Sequence, residues 1–456
     1  MTVSIHTVIL AAGQGTRMKS ALPKVLHTVG GKPMLAHVLE TARAAGAAAF
    51  HVVHGHGAEQ VQAAFAQVEG LHWTLQAQQL GTGHAVQQSA PDVPDDALLL
   101  VLYGDVPLIS VDTLKALTAA ATDTLAIVTV ELAQPRGYGR ILRDERQRVT
   151  GIVEEKDASD SQRRITEVNS GLMAAPAKLL KRWLGEIKNH NANGEYYLTD
   201  VVGLAVRDGL TVNTVKAAKP EEVEGVNDRA QLARAERVYQ RTQAERLMRE
   251  GVNIVDPARF DLRGMLLAGK DVKLDVGVII EGVCEFGDNV RIGPYCVIKN
   301  AKLGDNTEVE AHSVLDGVNG GAGLHIGPFA RLRPGTELAD GAKVGNFVET
   351  KKTRVGKGSK INHLSYVGDA VLGEDVNVGA GTITCNYDGV NKHETRIGDR
   401  AFIGSNSALV APVSIGAGAT IGAGSVIGKD APDGALTVAR AKQVTVPGWK
   451  RPTKKA

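Results

Sequence analysis

Ile397, Ile403, Leu409, Ile415, Ile421 and Ile427 recur every six residues, and Gly398, Gly404, Gly416, Gly422 and Gly428 directly follow most of them. The same period runs through Phe286, Ile292 and Ile298, through Ile326, Leu332, Leu338 and Val344, and through Val355, Ile361 and Val367. A six-residue period suits neither an amphipathic helix nor an alternating strand. It suits a chain wound as a triangular prism, in which each step is one short strand and a turn. The aliphatic side chain points inward on each side, and Gly or Asn is expected to supply the unusual turn torsions. Three steps close a coil of roughly eighteen residues, and stacked coils bury one another's interior. Each buried Ile or Leu contributes about 1.5–3 kcal/mol relative to exposure.

The ladder resembles the hexapeptide-repeat family, whose fold is a left-handed parallel β-helix and many of whose members are trimeric acyltransferases. It is interrupted between Val378 and Ile397 by an insertion spanning Thr382, Cys385, Asn386, Tyr387 and Gly389. Insertions in solenoids commonly carry the binding surface. A surface excursion without a role is the competing reading.

At 456 residues the chain is too long for one ordinary core, so two or more domains are expected. A formal net charge of +2 points to neither nucleic acid nor a membrane surface. The basic tail from Lys450 to Lys455 reads as a solvated end. Cys284, Cys296 and Cys385 form no CxxC pattern, which argues against a disulfide framework or a zinc site and suits a reducing cytoplasm. No signal-peptide pattern precedes the first strand and no apolar run approaches membrane-spanning length, so a cytoplasmic location is expected.

In the N-terminal half, His6 to Leu10 reads as a fully buried strand, and so do the runs around His51 to Val53, Leu98 to Tyr103 and Leu125 to Val130. Pro33 to Ala45 and Asp112 to Ala120 read as helices. Strands alternating with helices predict a parallel α/β sheet, with ligands beyond the carboxyl ends of the strands. The turn Ala11-Ala12-Gly13-Gln14-Gly15-Thr16-Arg17-Met18 follows such an end. It lacks the third Gly of a dinucleotide fingerprint and the Gly-Lys-Ser/Thr of a Walker A loop. Small residues, Arg17 and the nearby Lys24 suit nucleotide phosphates; a plain strand-to-helix turn with surface cations is the alternative.

That turn, followed by Leu22-Pro23-Lys24-Val25-Leu26, resembles the sugar-nucleotide pyrophosphorylase (nucleotidyltransferase) family. Gln76, Gly81 and Thr82 look like its base-binding stretch, Tyr103-Gly104-Asp105 like its metal-bearing strand end, and Gly139, Glu154, Asn169 and Asn227 like its sugar-contacting and closing segments. The resemblance implies that Leu10, Ala11, Ala12 and Gly13 also line the UTP site. The reaction is attack of a sugar phosphate oxygen on the α-phosphorus of a triphosphate. It needs positioning and charge neutralisation more than covalent work. Mg²⁺ takes hard oxygen ligands, for which Asp105 and Asn227 qualify beside substrate phosphates. Arg17 and Lys24 would offset charge on the leaving pyrophosphate.

From Asp228 to Glu250 the composition and spacing predict a long helix ending at Gly251. It reads as a connector or as the last helix of the first domain. The expected organisation is a Rossmann-like α/β nucleotidyltransferase domain with a mostly parallel sheet at 1–229. A linker helix at 230–250 and a left-handed parallel β-helix of hexapeptide repeats at 251–456 follow.

Polar residues around the ladder favour a second chemistry there. His363, Arg333, Lys351, Tyr366 and Asn377 fall within a few coils of the interruption. With GPFARLRPG, GNFVETKK and NVGAGTITCNYDG, the whole chain is similar to the bacterial family that carries N-acetylglucosamine-1-phosphate uridylyltransferase and glucosamine-1-phosphate acetyltransferase on one polypeptide. The resemblance implies that Arg333, Lys351, Tyr366 and Asn377 hold the amino sugar phosphate and that His363 is the general base. It implies that Ala380, Asn386, Tyr387, Ser405, Ala423 and Arg440 contact acetyl-CoA. Acetyl-CoA and UTP would be co-substrates and Mg²⁺ the cofactor. Since a β-helix has flat sides, the acetyl site is expected between subunits of a homotrimer, with the Asn386 loop and the Trp449 tail reaching across. The rivals are a pyrophosphorylase with a purely structural trimerising β-helix, and a non-catalytic binder of nucleotide sugars.

Overall fold

The computed structural model describes residues 3–55 and 57–454; of the basic tail, Lys455 lies outside them. The chain forms two compact units that divide between Tyr239 and Gln240, inside the helix Arg229–Arg249.

The first unit is built on a sheet whose strands run, in spatial order, Asn213–Lys216, Ala126–Glu131, Glu167–Pro176, Leu98–Tyr103, Ile5–Leu10, Ala47–His54 and Leu71–Leu75. Ile5–Leu10 pairs in parallel with both neighbours, as expected for apolar strands buried on both faces. Glu167–Pro176 is antiparallel to both of its neighbours, so the sheet is mixed rather than uniformly parallel. An antiparallel hairpin, Arg140–Arg143 with Val149–Val153, hangs from this strand. Helices Met34–Ala44, Val111–Ala120 and Arg229–Arg249 fall within one residue of their expected bounds. Leu10 and Tyr103 end adjacent paired strands, which brings the Gly-rich turn and Asp105 to the same end of the sheet.

The second unit is a parallel β-helix. Every ladder residue named above is at most 4 % exposed. Successive strands pair in parallel and in register, for example Val378 opposite Ile403 and Ile403 opposite Ile421. The Gln240 amide bonds both ways with the Leu262 backbone at 3.0 and 2.7 Å, and Leu247 is buried in the same core, so the end of the helix caps the first coil.

The glycines after the ladder residues do not serve the purpose expected of them. Gly398, Gly404, Gly416, Gly422 and Gly428 are absent from the positive-φ positions, which fall instead on residues such as Asn289, Asn406, Gly418 and Gly424. Coil-to-coil approach excludes a side chain at most of these sites. A Cβ on Gly404 would lie 2.5 Å from the Ala423 nitrogen, and one on Gly398 would lie 2.6 Å from the Ala417 nitrogen. The interruption also begins later in the chain than expected and runs past Gly389. Ile383–Cys385 is a regular strand opposite Ala408–Val410, and the chain leaves the coil only at Asn386, returning at Thr395.

Candidate active sites

The first unit holds a cavity of roughly 390 Å³ lined by Leu10, Ala11, Ala12, Gly13, Lys24, Gln76, Gly81, Thr82, Tyr103, Asp105 and Asn227 among others. The backbone builds its walls. Ala11 N donates to Val53 O at 2.8 Å and Gly104 N to Leu10 O at 3.0 Å, fixing the turn to the sheet. Gly81 (φ +112°) is needed because a Cβ there would lie 2.6 Å from the Tyr196 carbonyl oxygen. Gln76 donates to Gly81 O at 3.1 Å, and Leu198 N donates to the Thr82 hydroxyl at 3.2 Å. Gln79 and Glu195 also line the cavity, and Gln79 donates to Ala12 O at 2.6 Å. Glu195 stands in no motif, and Gln79 lies inside the stretch from Gln76 to Thr82 with nothing in its spacing to single it out from Gln78.

Asp105 and Asn227 are 122 residues apart, yet Val226 N donates to Asp105 O at 2.9 Å and so brings them side by side. Asn227 is held from behind, with its backbone N–H on Gln231 Oε1 at 2.7 Å and its Nδ2 on Gly225 O at 3.2 Å. Its Oδ1 therefore faces forward, where the Lys24 ammonium donates to it at 3.1 Å and also bonds the Asp105 carboxylate. Two hard oxygens thus converge on one cation position. That donor set fits Mg²⁺ provided phosphate and water complete the shell. Among the described residues no group of three or more His, Cys, Asp or Glu side chains is arranged to hold a metal alone.

Arg17 is exposed in the short turn Thr16–Met18 and is not among the residues lining the cavity. Gly139, Glu154 and Asn169 come together on the hairpin side: Asn169 N donates to Gly139 O at 2.9 Å, and a Cβ on Gly139 would lie 3.3 Å from Glu154 Oε1. Glu154 accepts from the Thr199 hydroxyl at 3.0 Å, and burial raises its pKa. Asp200 is pushed up to about 6, first by burial and then by the Glu154 and Asp157 charges. The Asn169 Oδ1 is buried with no hydrogen-bond partner. Burial, with the Asp105 and Glu154 charges, likewise raises the Tyr103 phenol. Its ring stands where a Cβ on Gly171 would be, at 2.6 Å.

In the β-helix, register does the work that a pocket does in the first unit. Asn346 stands opposite His363, and continuing the pairing of Ile361 with Val378 sets His363 opposite Ala380. The same continuation sets Ala380 opposite Ser405 and Ser405 opposite Ala423. Arg440 then reaches back to the Ala423 carbonyl oxygen at 2.6 Å. One column on the prism therefore collects His363, Ala380, Ser405, Ala423 and Arg440. His363 is exposed, and its Nδ1 lies 2.7 Å from Asn346 Oδ1. An amide oxygen can only accept, so Nδ1 is the donor, and in the neutral ring this leaves Nε2 as the acceptor. Asn346 stands in GNFVETKK, but nothing in that stretch points to its partner, which is seventeen residues on, one coil away.

A second column carries the cations. Arg333 precedes Lys351 by one coil, since Leu332 pairs with Thr350, and Lys351 pairs opposite Gly368. Arg333 is tied to Glu349 at 2.8 Å. Tyr366 lies beside this column, with its hydroxyl 3.5 Å from Asn386 Nδ2, and a Cβ on Gly368 would press on that hydroxyl at 2.4 Å. Asn377 lies three residues before Ala380, opposite Lys360. Asn386 is buried at the base of the excursion and donates to the Asp369 carboxylate. Beyond it Tyr387 is exposed, and Asp388 ties the tip together through His393 at 2.8 Å and the N–H groups of Val390 and Asn391.

Comparison with known proteins bears on both units. Residues 7–171 match the MobA-like NTP transferase domain. Residues 284–317 and 394–429 match the bacterial transferase hexapeptide of six repeats, which makes the β-helix the left-handed kind. The chain is 62 % identical over 452 residues to the bifunctional protein GlmU of Alkalilimnicola ehrlichii, covering 99 % of this chain and 97 % of that one. It is 58 % identical over 451 residues to the bifunctional protein GlmU of Marinobacter nauticus, covering 99 % of each chain. With the protein of the same name from Xanthomonas axonopodis pv. citri it shares 57 % identity over 456 residues and the full length of both.

Proposed function

We infer, since this chain belongs to the family of the bifunctional GlmU proteins, that it carries two transferase sites serving consecutive steps. It is a bifunctional enzyme of UDP-N-acetylglucosamine synthesis: it acetylates glucosamine 1-phosphate from acetyl-CoA, and it transfers UMP from UTP to N-acetylglucosamine 1-phosphate with release of pyrophosphate. Our assignment gives uridylyl transfer to 1–229 and acetyl transfer to 251–456, with the helix between them as the join.

The observation that carries the first assignment is the convergence of Lys24, Asp105 and Asn227 in one cavity beside the turn at Leu10 to Gly13. In our reading the backbone of that turn approaches the triphosphate, and Gln76, Gly81 and Thr82 receive the base. Tyr103 and Gly104 close the wall, and Gly139, Glu154 and Asn169 contact the sugar. Nucleotidyl transfer of this kind generally uses a divalent metal. We assign Mg²⁺ to Asp105 and Asn227, where it would neutralise phosphate charge. Lys24 and Arg17 offset charge on the departing pyrophosphate.

In the β-helix our reading has His363 Nε2 take a proton from the attacking amine, because Asn346 keeps the proton on Nδ1. Arg333 and Lys351 meet the sugar phosphate with Tyr366 and Asn377 beside them. Ala380, Asn386, Tyr387, Ser405, Ala423 and Arg440 line the path of acetyl-CoA. Exposure of His363 on a flat side supports completion of this site in a homotrimer. No described helix is long and apolar enough to cross a membrane, and we propose that the enzyme works in the cytoplasm on small-molecule substrates.

The test is incubation of the purified chain with glucosamine 1-phosphate, acetyl-CoA, UTP and Mg²⁺, with products followed by mass and each component omitted in turn. UDP-N-acetylglucosamine should form only from the full mixture. No product from that mixture, with uridylyl transfer to N-acetylglucosamine 1-phosphate supplied directly, would support the structural reading of the β-helix instead.

A further inference from the structure

The two oxygens we assign to the metal already share a cation. Lys24 Nζ donates to the Asp105 carboxylate and, at 3.1 Å, to Asn227 Oδ1, and the Lys24 and Asp105 side chains are each only 14 % exposed. We propose that Lys24 is the resident counter-cation of the metal site. It closes the Asp105–Asn227 pair to free divalent ions and releases it when a nucleoside triphosphate draws the ammonium onto its phosphates. The inference rests on the reading of Asp105 and Asn227 as metal ligands.

Three features support an exchange of this kind. An ammonium and a divalent ion cannot both occupy one pair of oxygens, because like charges in so enclosed a place repel strongly. The backbones that carry the ligand side chains are held without the lysine, since Val226 N donates to the Asp105 carbonyl oxygen and Gln231 accepts from the Asn227 N–H, and the Asn227 amide is further oriented by its Nδ2 on Gly225 O. Lys24 itself can leave by its side chain alone. Its flexible four-carbon stem lines the same cavity as Ala11, Ala12 and Gly13, so the phosphate-binding turn is within its reach. The consequence is an order of events: the metal enters together with the triphosphate, not ahead of it.

Mn²⁺ serves as the probe, with bound ion in the full-length protein followed by its electron paramagnetic resonance signal in the absence of nucleotide. Wild type should bind weakly. Lys24→Met, which keeps the stem and removes the charge, should bind at least tenfold more tightly, and Lys24→Arg should stay weak. The double variant Lys24→Met/Asp105→Asn should lose the gain. Water-proton relaxation enhancement in the ternary complex with Mn²⁺ and UTP tests the underlying reading separately, and should drop in Asp105→Asn. If Lys24→Met binds no tighter while that drop is seen, the counter-cation role is wrong and the metal ligands stand. If Asp105→Asn leaves the ternary signal unchanged, the ligand assignment fails and the proposal falls with it.

Discussion

Gly15 packs against Lys24 so closely that a Cβ on the glycine would stand 2.8 Å from the lysine Cβ. Gly15 also has φ +63°, a left-handed conformation that costs an ordinary residue about 1–2 kcal/mol. Gly15→Ala should therefore displace Lys24 from Asp105 and Asn227. Pyrophosphate release from UTP and N-acetylglucosamine 1-phosphate should fall at least tenfold, while acetyl transfer by the same preparation stays at the wild-type rate. Gly13 offers the contrast, since a Cβ there meets nothing within 4 Å. Gly13→Ala should leave the melting temperature unchanged, so a loss of activity there would report substrate approach rather than folding.

The tautomer of His363 gives a second prediction. Asn346→Leu removes the acceptor on Nδ1 and should lower kcat for acetyl transfer about tenfold with little change in KM, because orientation rather than binding is lost. Asn346→Asp keeps an acceptor but adds a negative charge beside the ring, which favours the imidazolium. Its pH–rate profile should shift its acidic limb upward. An unshifted profile in Asn346→Asp would show that the contact does not tune the base.

How far the residues announced these sites depended on how far apart in the chain the partners lie. The ladder was legible because its period is written in consecutive residues, and the Gly-rich turn because it follows an apolar strand directly. Lys24, Asp105 and Asn227 were picked out one by one. Only the fold shows that Lys24 bonds the other two, across separations of 81 and 203 residues. The partnerships of Asn346 and Asp369 are hidden for the same reason, since each meets its partner seventeen residues on, at the next coil. The hairpin at Arg140–Arg143 and Val149–Val153 escaped because its short strands carry Arg, Thr and Gly among their apolar residues. The glycines of the ladder were noticed for a real constraint but the wrong one: coil spacing, not φ.

Asp369 anchors the excursion through its bond to Asn386 Nδ2, which leaves Asn386 Oδ1 directed elsewhere. A hydrogen bond to a charged group is worth roughly 1.5–3 kcal/mol. Asp369→Ala should free the base of the loop, raise KM for acetyl-CoA about tenfold, and leave uridylyl transfer unchanged. Hydrogen exchange over 386–394 should quicken in step. Wild-type exchange in the variant would mean that Asp388 and the tip hold the loop unaided.

His51 sets a pH limit on the first unit. It lies on the strand Ala47–His54, stacked between His6 and His72 at ring separations of 5.5 and 5.1 Å. Its Nε2 is 3.2 Å from His6 Nδ1, and its own Nδ1 is buried without a partner. Burial, then repulsion from His72 and His6, pushes its pKa down to about 4 against a weak opposing pull from Asp92. In the unfolded chain the same ring titrates near 6.5. Between those values the unfolded state binds a proton that the folded state refuses, so stability falls as pH drops from about 6.5 to about 4 and levels below. The loss from this one ring is on the order of 3 kcal/mol at most. His51→Phe keeps the volume and the stacking but cannot be protonated. Urea unfolding of the full chain, followed by the fluorescence of buried Trp183, should show a shallower decline across that window than wild type. Parallel curves for the two proteins would move the acid sensitivity to half-buried His6 and buried His37 and His54, whose pKa values burial also lowers.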